Sequence, residues 1–257
     1  MNAYLHISRR RLLQGTIATA ALAALPGPVY GSPLPSRGCC VTDSEFSSLL
    51  DTSSGVQSFQ QGSEPIIHHS NNPQFDEALA MMLASISKTF EVLPGFGYYD
   101  DSDGHNAYAS PTNRLNRSEG TVLFGLGLLS EKLQATPAGV QVAAVCAHEF
   151  GHILQFKHHL QPRLGGGNPT VKPIELHADF LAGYFAARYQ EDNPRFHAEE
   201  FAMSQYNGGD TATWNSSHHG TSHERGAAVS AGFNARKRNG LSLDDAMEYG
   251  IKYAMSV

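Results

Sequence analysis

The run from Thr136 to His159, TPAGVQVAAVCAHEFGHILQFKHH, decides how this chain is read. Thr136 is a good N-cap and Pro137 suits the first helical position, so the run predicts one long helix. Val140, Val142, Ala143, Ala144 and Val145 make its first half apolar enough to be buried. Gly151 sits in the helix interior at a cost of about 1 kcal/mol relative to Ala, which predicts a close packing partner there. Cys146 reads as a small buried hydrophobe.

On such a helix, positions four apart share a face. His148 and His152 can then aim two imidazoles at one tetrahedral cation. Glu149 falls one residue after the first and three before the second, beside the metal and within reach of a water. That is the layout of a water-activating zinc peptidase, with Glu149 as general base. A structural zinc site is closed by four protein ligands, whereas a catalytic one keeps three and an open position.

The third ligand is sought downstream. Glu175 follows the Gly165-Gly166-Gly167-Asn168-Pro169 break, just after Pro173 opens a new helix. Asp179 lies four residues on, so Glu175 can bind the metal while Asp179 accepts the outer N–H of a ligand histidine. His177 points about 200° away from Glu175 around that helix and is the poorer ligand. The expected cofactor is one Zn²⁺ per chain. If Glu175 is not the ligand, Asp179 and His177 are the alternatives.

HEFGH followed by ELHADFLAGYF resembles the gluzincin branch of the zincin metallopeptidases, and more narrowly the bacterial neutral zinc metallopeptidases. The similarity runs from Asn106 to about Phe233 and speaks to the metal more than to the substrate. It implies a zincin-like fold and a short strand, Asn106 to Ala109, along whose edge an extended peptide would pair. It also implies that His219, in a segment similar to the family's H-G-T/S, donates to the oxyanion. His218 and His223 are the alternatives. This chain departs from the family at His177, where a small polar residue is usual. Arg225, opening the next helix, reads equally well as a salt-bridge partner.

The rest of the chain predicts an α+β fold: a small mixed or antiparallel sheet packed on the active-site helix, then a mostly helical C-terminal half. A helix is expected from Pro73 to Leu93, with Leu79, Met82, Leu83, Ile86 and Phe90 at helical spacing and Pro94-Gly95 as the stop. Strands are expected at Phe96 to Tyr99, Asn106 to Ala109 and Thr121 to Phe124. Further helices are expected at roughly 173–191, 194–206, 223–239 and 242–255, the last capped by Ser242. Asp100-Asp101-Ser102-Asp103-Gly104 resembles the start of a calcium loop. With Gly104 at loop position six, however, Tyr99 and Ser110 fall where acidic ligands belong, so a polar turn is expected. His68, His69, His158 and His159 read as solvated or capping residues.

The chain starts with a targeting pattern. SRRRLLQ at residues 8–14 resembles the twin-arginine motif of bacterial export signals; the apolar run Leu12 to Leu25 and the breakers Pro26-Gly27-Pro28 follow. That run is shorter than the ~20 residues of a membrane span, and no later stretch of the mature protein is long and apolar enough to serve as one. The expected division is a signal peptide at 1–31, a Ser/Gly/Pro/Gln-rich linker at 32–62 and one metallopeptidase domain at 63–257, in a periplasmic or secreted protein. Cys39 and Cys40, being adjacent, are poor partners for each other. The formal net charge of −6 argues against a nucleic-acid partner, and 41% hydrophobic residues suffice for a sizeable core. The sequence therefore reads as a zinc-dependent hydrolase of peptide bonds. The rival readings are a zinc amidase acting on cell-wall peptide and a zinc-bearing binding module without turnover.

Overall fold

A computed structural model describes residues 64–116, 119–134, 138–211 and 217–257. The stretches expected to be a signal peptide and a linker, with Cys39 and Cys40, and the expected helix-opening pair Thr136-Pro137 lie outside the described residues.

Helix α1 spans Pro73–Phe90. The Asn72 side chain accepts from Phe75 N–H, Pro73 presets the first turn, and Leu79, Ile86 and Phe90 form the buried stripe. It stops short of Leu93 because Glu91 turns left-handed at φ 54° and its N–H returns to the Ser87 carbonyl. Strands β1 (Gly95–Tyr99), β2 (Ala107–Ser110) and β3 (Thr121–Gly125) form a mixed sheet in the order β1-β3-β2. β1 runs parallel to β3, and β2 pairs antiparallel with it, Ala107 opposite Phe124 and Ser110 opposite Thr121. The second strand thus starts one residue later than expected. Asn106 is still tied in, its carbonyl accepting from Gly125 N–H and the Tyr99 hydroxyl.

Alternation sorts the two sheet faces. Phe96, Tyr98, Ala107, Ala109, Val122 and Phe124 join the main core; Tyr99, Tyr108 and Leu123 pack with Ile66 on the other side. Helix α2, Leu126–Gln134, follows β3 directly and was not expected. Its cap comes from far upstream: the Asp101 carboxylate accepts from Gly127 N–H at 2.6 Å, Leu128 N–H at 3.0 Å and Asn106 N–H at 3.1 Å. The polar turn after β1 is therefore also a buried anchor, with Asp101 1% exposed.

Helices α3 (Ala138–Lys157), α4 (Gln161–Gly165), α5 (Lys172–Asp192), α6 (Glu199–Asn207), α7 (Ser222–Lys237) and α8 (Leu243–Ser256) complete an α+β fold that is mostly helical, with eight helices among the described residues. The one-turn α4 ends at Gly165, the first residue of the expected glycine-rich break. α6 begins five residues later than expected, because the chain reverses at Asn193 to bury Phe196 between Tyr189, 4.9 Å away, and Phe201, 5.5 Å away. α7 starts with a reciprocal capping box between Thr221 and Glu224, and α8 with the expected Ser242 cap. His158 and His159 are exposed just past the end of α3, and His68 and His69 are exposed as well. No helix among the described residues is long and apolar enough to cross a membrane.

α5 is the axle of the fold. Every residue from Pro173 to Ala187 is buried, so over that stretch the helix turns no face to solvent. Two glycines let its backbone touch α7: a Cβ on Gly232 would lie 1.7 Å from the Phe180 carbonyl oxygen, and one on Gly183 would lie 1.9 Å from that of Val229. α3 crosses it at Gly151, where a Cβ would stand 3.3 Å from Ala178 Cα, the close partner that this glycine predicts. Gly232→Ala must push two backbones apart and is expected to cost ~1–3 kcal/mol or more. Gly104→Ala, with nothing within 4 Å, is its control. Urea unfolding checks this, and equal midpoints for the two variants would contradict the tight crossing.

Candidate metal centre

The α3–α5 crossing brings three ligand-type side chains together. His148 and His152 sit one turn apart on α3 with their ring planes 89° apart and their Nε2 atoms 3.1 Å from each other. Glu175, in the first turn of α5 where the helix dipole favours an anion, extends its carboxylate between them. Oε2 is 3.3 Å from His148 Nε2, and Oε1 is 3.5 Å from His152 Nε2. All three residues are buried, and their ligand atoms lie within 4.8 Å of one another, so the cluster can hold a metal ion.

Both outer ring nitrogens are engaged, which turns the Nε2 atoms inward. His148 Nδ1 lies 2.7 Å from Asp179 Oδ1, as the spacing of Glu175 and Asp179 predicts. Arg225 from α7 clamps that carboxylate at both oxygens, Nε to Oδ2 at 2.8 Å and Nη2 to Oδ1 at 2.9 Å, and passes the contact on to Gln205 Oε1. Its salt-bridge reading is thus the one the structure bears out. His152 Nδ1 lies 2.9 Å from Gln155 Oε1, a partner not anticipated. The signal for it was present: Gln155 is the lone polar residue in Ile153-Leu154-Gln155-Phe156, three positions past His152. His177 faces away from the cluster, its Nδ1 towards Gln155 Nε2 at 3.1 Å and its Nε2 towards the Met247 carbonyl at 3.2 Å.

Glu149 is fully buried on the same helix turn. Burial first and the Glu149 charge second push the Cys146 thiol up, which leaves this buried cysteine inert. Of the three candidate histidines near α7, the structure brings only His219 to the cluster. Its Nδ1 is 3.2 Å from Glu175 Oε2, and its Nε2 is buried with no hydrogen-bond partner. His218 instead bonds Asp210 at 2.6 Å, and that aspartate also accepts the His219 main-chain N–H at 2.9 Å. His223 is exposed. Gly220, at φ 103°, supplies the left-handed turn that leads from this pair into α7.

The electrostatics suit a cation. Burial opposes charge on His148, but Asp179 and then Glu175 outweigh it and push its pKa up to about 10. Burial holds His152 down to about 4. A metal ion would compete with protons for both Nε2 positions. Burial also works against the Glu175 anion, yet the charge of His219 and hydrogen bonds from His148 and His219 keep it well below the ordinary carboxylate range. The donor set also fits zinc by size. Zinc bonds of ~2.0–2.2 Å to nitrogen and oxygen at tetrahedral angles span roughly 3.3–3.6 Å, and the three separations here are 3.1, 3.3 and 3.5 Å. Comparison with protein-family models, curated proteins and solved structures gives no match for this chain.

Proposed function

We propose that this protein is a zincin-like zinc metallopeptidase that hydrolyses peptide bonds, exported by its twin-arginine-type leader. The single observation that carries the reading is the buried triangle of His148 Nε2, His152 Nε2 and the Glu175 carboxylate, with Glu149 on the same turn of α3. When bound there, zinc supplies Lewis-acid polarisation of a carbonyl and acidifies the water beside it. His148 and His152 present neutral nitrogen lone pairs, oriented from behind by Asp179 and Gln155. The Glu149 carboxylate takes a proton from the attacking water and returns it to the departing amine. His219 Nε2 donates to the oxyanion. The substrate is a peptide laid as an extended strand near Asn106 to Ala109, beside the outer strand β2.

One observation supports a second reading, a zinc-bearing module without turnover: His219 stands against the ligand carboxylate, where a fourth side chain would close the site. Metal analysis and hydrolysis separate the two. The wild type is expected to carry about one zinc per chain, the number a single three-ligand site takes. A strong chelator should abolish hydrolysis of a casein-like substrate, and added zinc should restore it. Glu175→Ala should lose most of the metal. Equal occupancy in that variant would move the third ligand to Asp179 or His177, and a wild type free of metal would end the proposal.

A further inference from the structure

The geometry points to a directional hydrogen-bond relay, Met247 carbonyl to His177 to Gln155 to His152, that holds His152 with its proton on Nδ1 and its Nε2 lone pair facing the ligand cluster. His177 and Gln155 are thereby positioning residues for the metal centre. The inference rests on the reading of His148, His152 and Glu175 as that centre.

Two main-chain carbonyls, which can only accept, fix the polarity of the relay. The Met247 carbonyl lies 3.2 Å from His177 Nε2, so that nitrogen carries a hydrogen. The Ile174 carbonyl lies 2.8 Å from Gln155 Nε2, so the amide nitrogen points at α5 and the amide oxygen at α3. The second amide hydrogen then faces His177 Nδ1 at 3.1 Å, which must be a bare acceptor, in agreement with the hydrogen on its other nitrogen. Gln155 Oε1 can only accept from His152 Nδ1 at 2.9 Å. An inverted amide would set its oxygen against two acceptors, the Ile174 carbonyl and the bare His177 Nδ1. The contact of His152 Nε2 with His148 Nε2, at 3.1 Å, needs one N–H and one lone pair, and the relay makes His152 the acceptor.

Gln155, His177 and His152 are all fully buried, so water cannot substitute for a missing partner. Ile174 immediately precedes Glu175. The same amide therefore ties the helix with the two histidines to the start of the helix with the carboxylate, and His177 extends the tie to α8. His177 is the position at which this chain departs from the family it resembles, and the relay gives that departure a role distinct from the charged Asp179–Arg225 support behind His148.

Two measurements on the full chain decide it. Long-range nitrogen-15 NMR of histidine-labelled, metal-free protein should show His152 protonated at Nδ1 and His177 at Nε2, and Gln155→Leu should lose the fixed His152 tautomer. Zinc affinity, read by competition with a chromophoric chelator, should fall ~10–100-fold in Gln155→Leu, and towards the lower end of that range in His177→Leu. His177→Asn, whose Oδ1 replaces the acceptor facing Gln155, should recover most of the loss. A His152 protonated at Nε2 in the wild type would overturn the relay, and so would a Gln155→Leu variant that binds zinc as tightly as the wild type. If the wild type binds no zinc, the metal-centre reading fails, while the tautomer measurement still decides the relay.

Discussion

Glu149→Gln is expected to keep its zinc and to hydrolyse a casein-like substrate ~10²–10⁴-fold more slowly than the wild type, the range over which a positioned general base contributes. The substitution keeps the shape of the side chain and removes the one property the proposed mechanism needs, a carboxylate oxygen basic enough to take a proton. Metal binding should not change, because the converging ligand atoms come from His148, His152 and Glu175. Zinc content and kcat are measured on the same preparation. Undiminished activity would remove Glu149 from the role of base, and loss of metal would place it among the ligands.

Arg225→Met should lower stability without touching a ligand. Asp179 is 0% exposed, and Arg225 holds both of its oxygens. Burial alone would drive its carboxyl up; the Arg225 guanidinium first and His148 second keep it below the ordinary carboxylate range. A group so depressed stabilises the fold at neutral pH, and that contribution fades as pH falls beneath the ordinary range. Removing the arginine leaves a buried carboxylate with much less compensation, at a cost of ~3–5 kcal/mol. For a domain of this size that is roughly 6–20 °C in melting temperature. Thermal unfolding of the metal-free forms checks it. An unchanged midpoint would show that Asp179 does not depend on this partner.

The i, i+4 spacing made two site elements legible in the sequence: His148 with His152 on α3, and Glu175 with Asp179 on α5. In both pairs the chemistry is local to one helix, so 3.6 residues per turn is enough to find it. Gln155, by contrast, is polar for reasons set nineteen and twenty-two residues downstream, by the Ile174 carbonyl and His177. No periodicity carries that information. The same holds for α2, whose first N–H groups are accepted by Asp101, far from the helix start in sequence. The start of α6 at Glu199, rather than near 194, is set by the burial of Phe196 beside Tyr189 and Phe201, which decides where the chain turns. The glycines at 183 and 232 are unremarkable as letters. Only the approach of α5 to α7 explains them.

Helix α5 carries Glu175 and Asp179 on the same rod as Phe180 and Gly183, the residues at its seam with α7. An ion gripped at one end of that rod is therefore gripped only by the folded chain, since unfolding scatters its ligands. Occupancy and conformational stability become two readings of one equilibrium. A hundredfold excess of free cation over its dissociation constant deepens the native well by about 2.7 kcal/mol, and sequestering the cation withdraws the same amount.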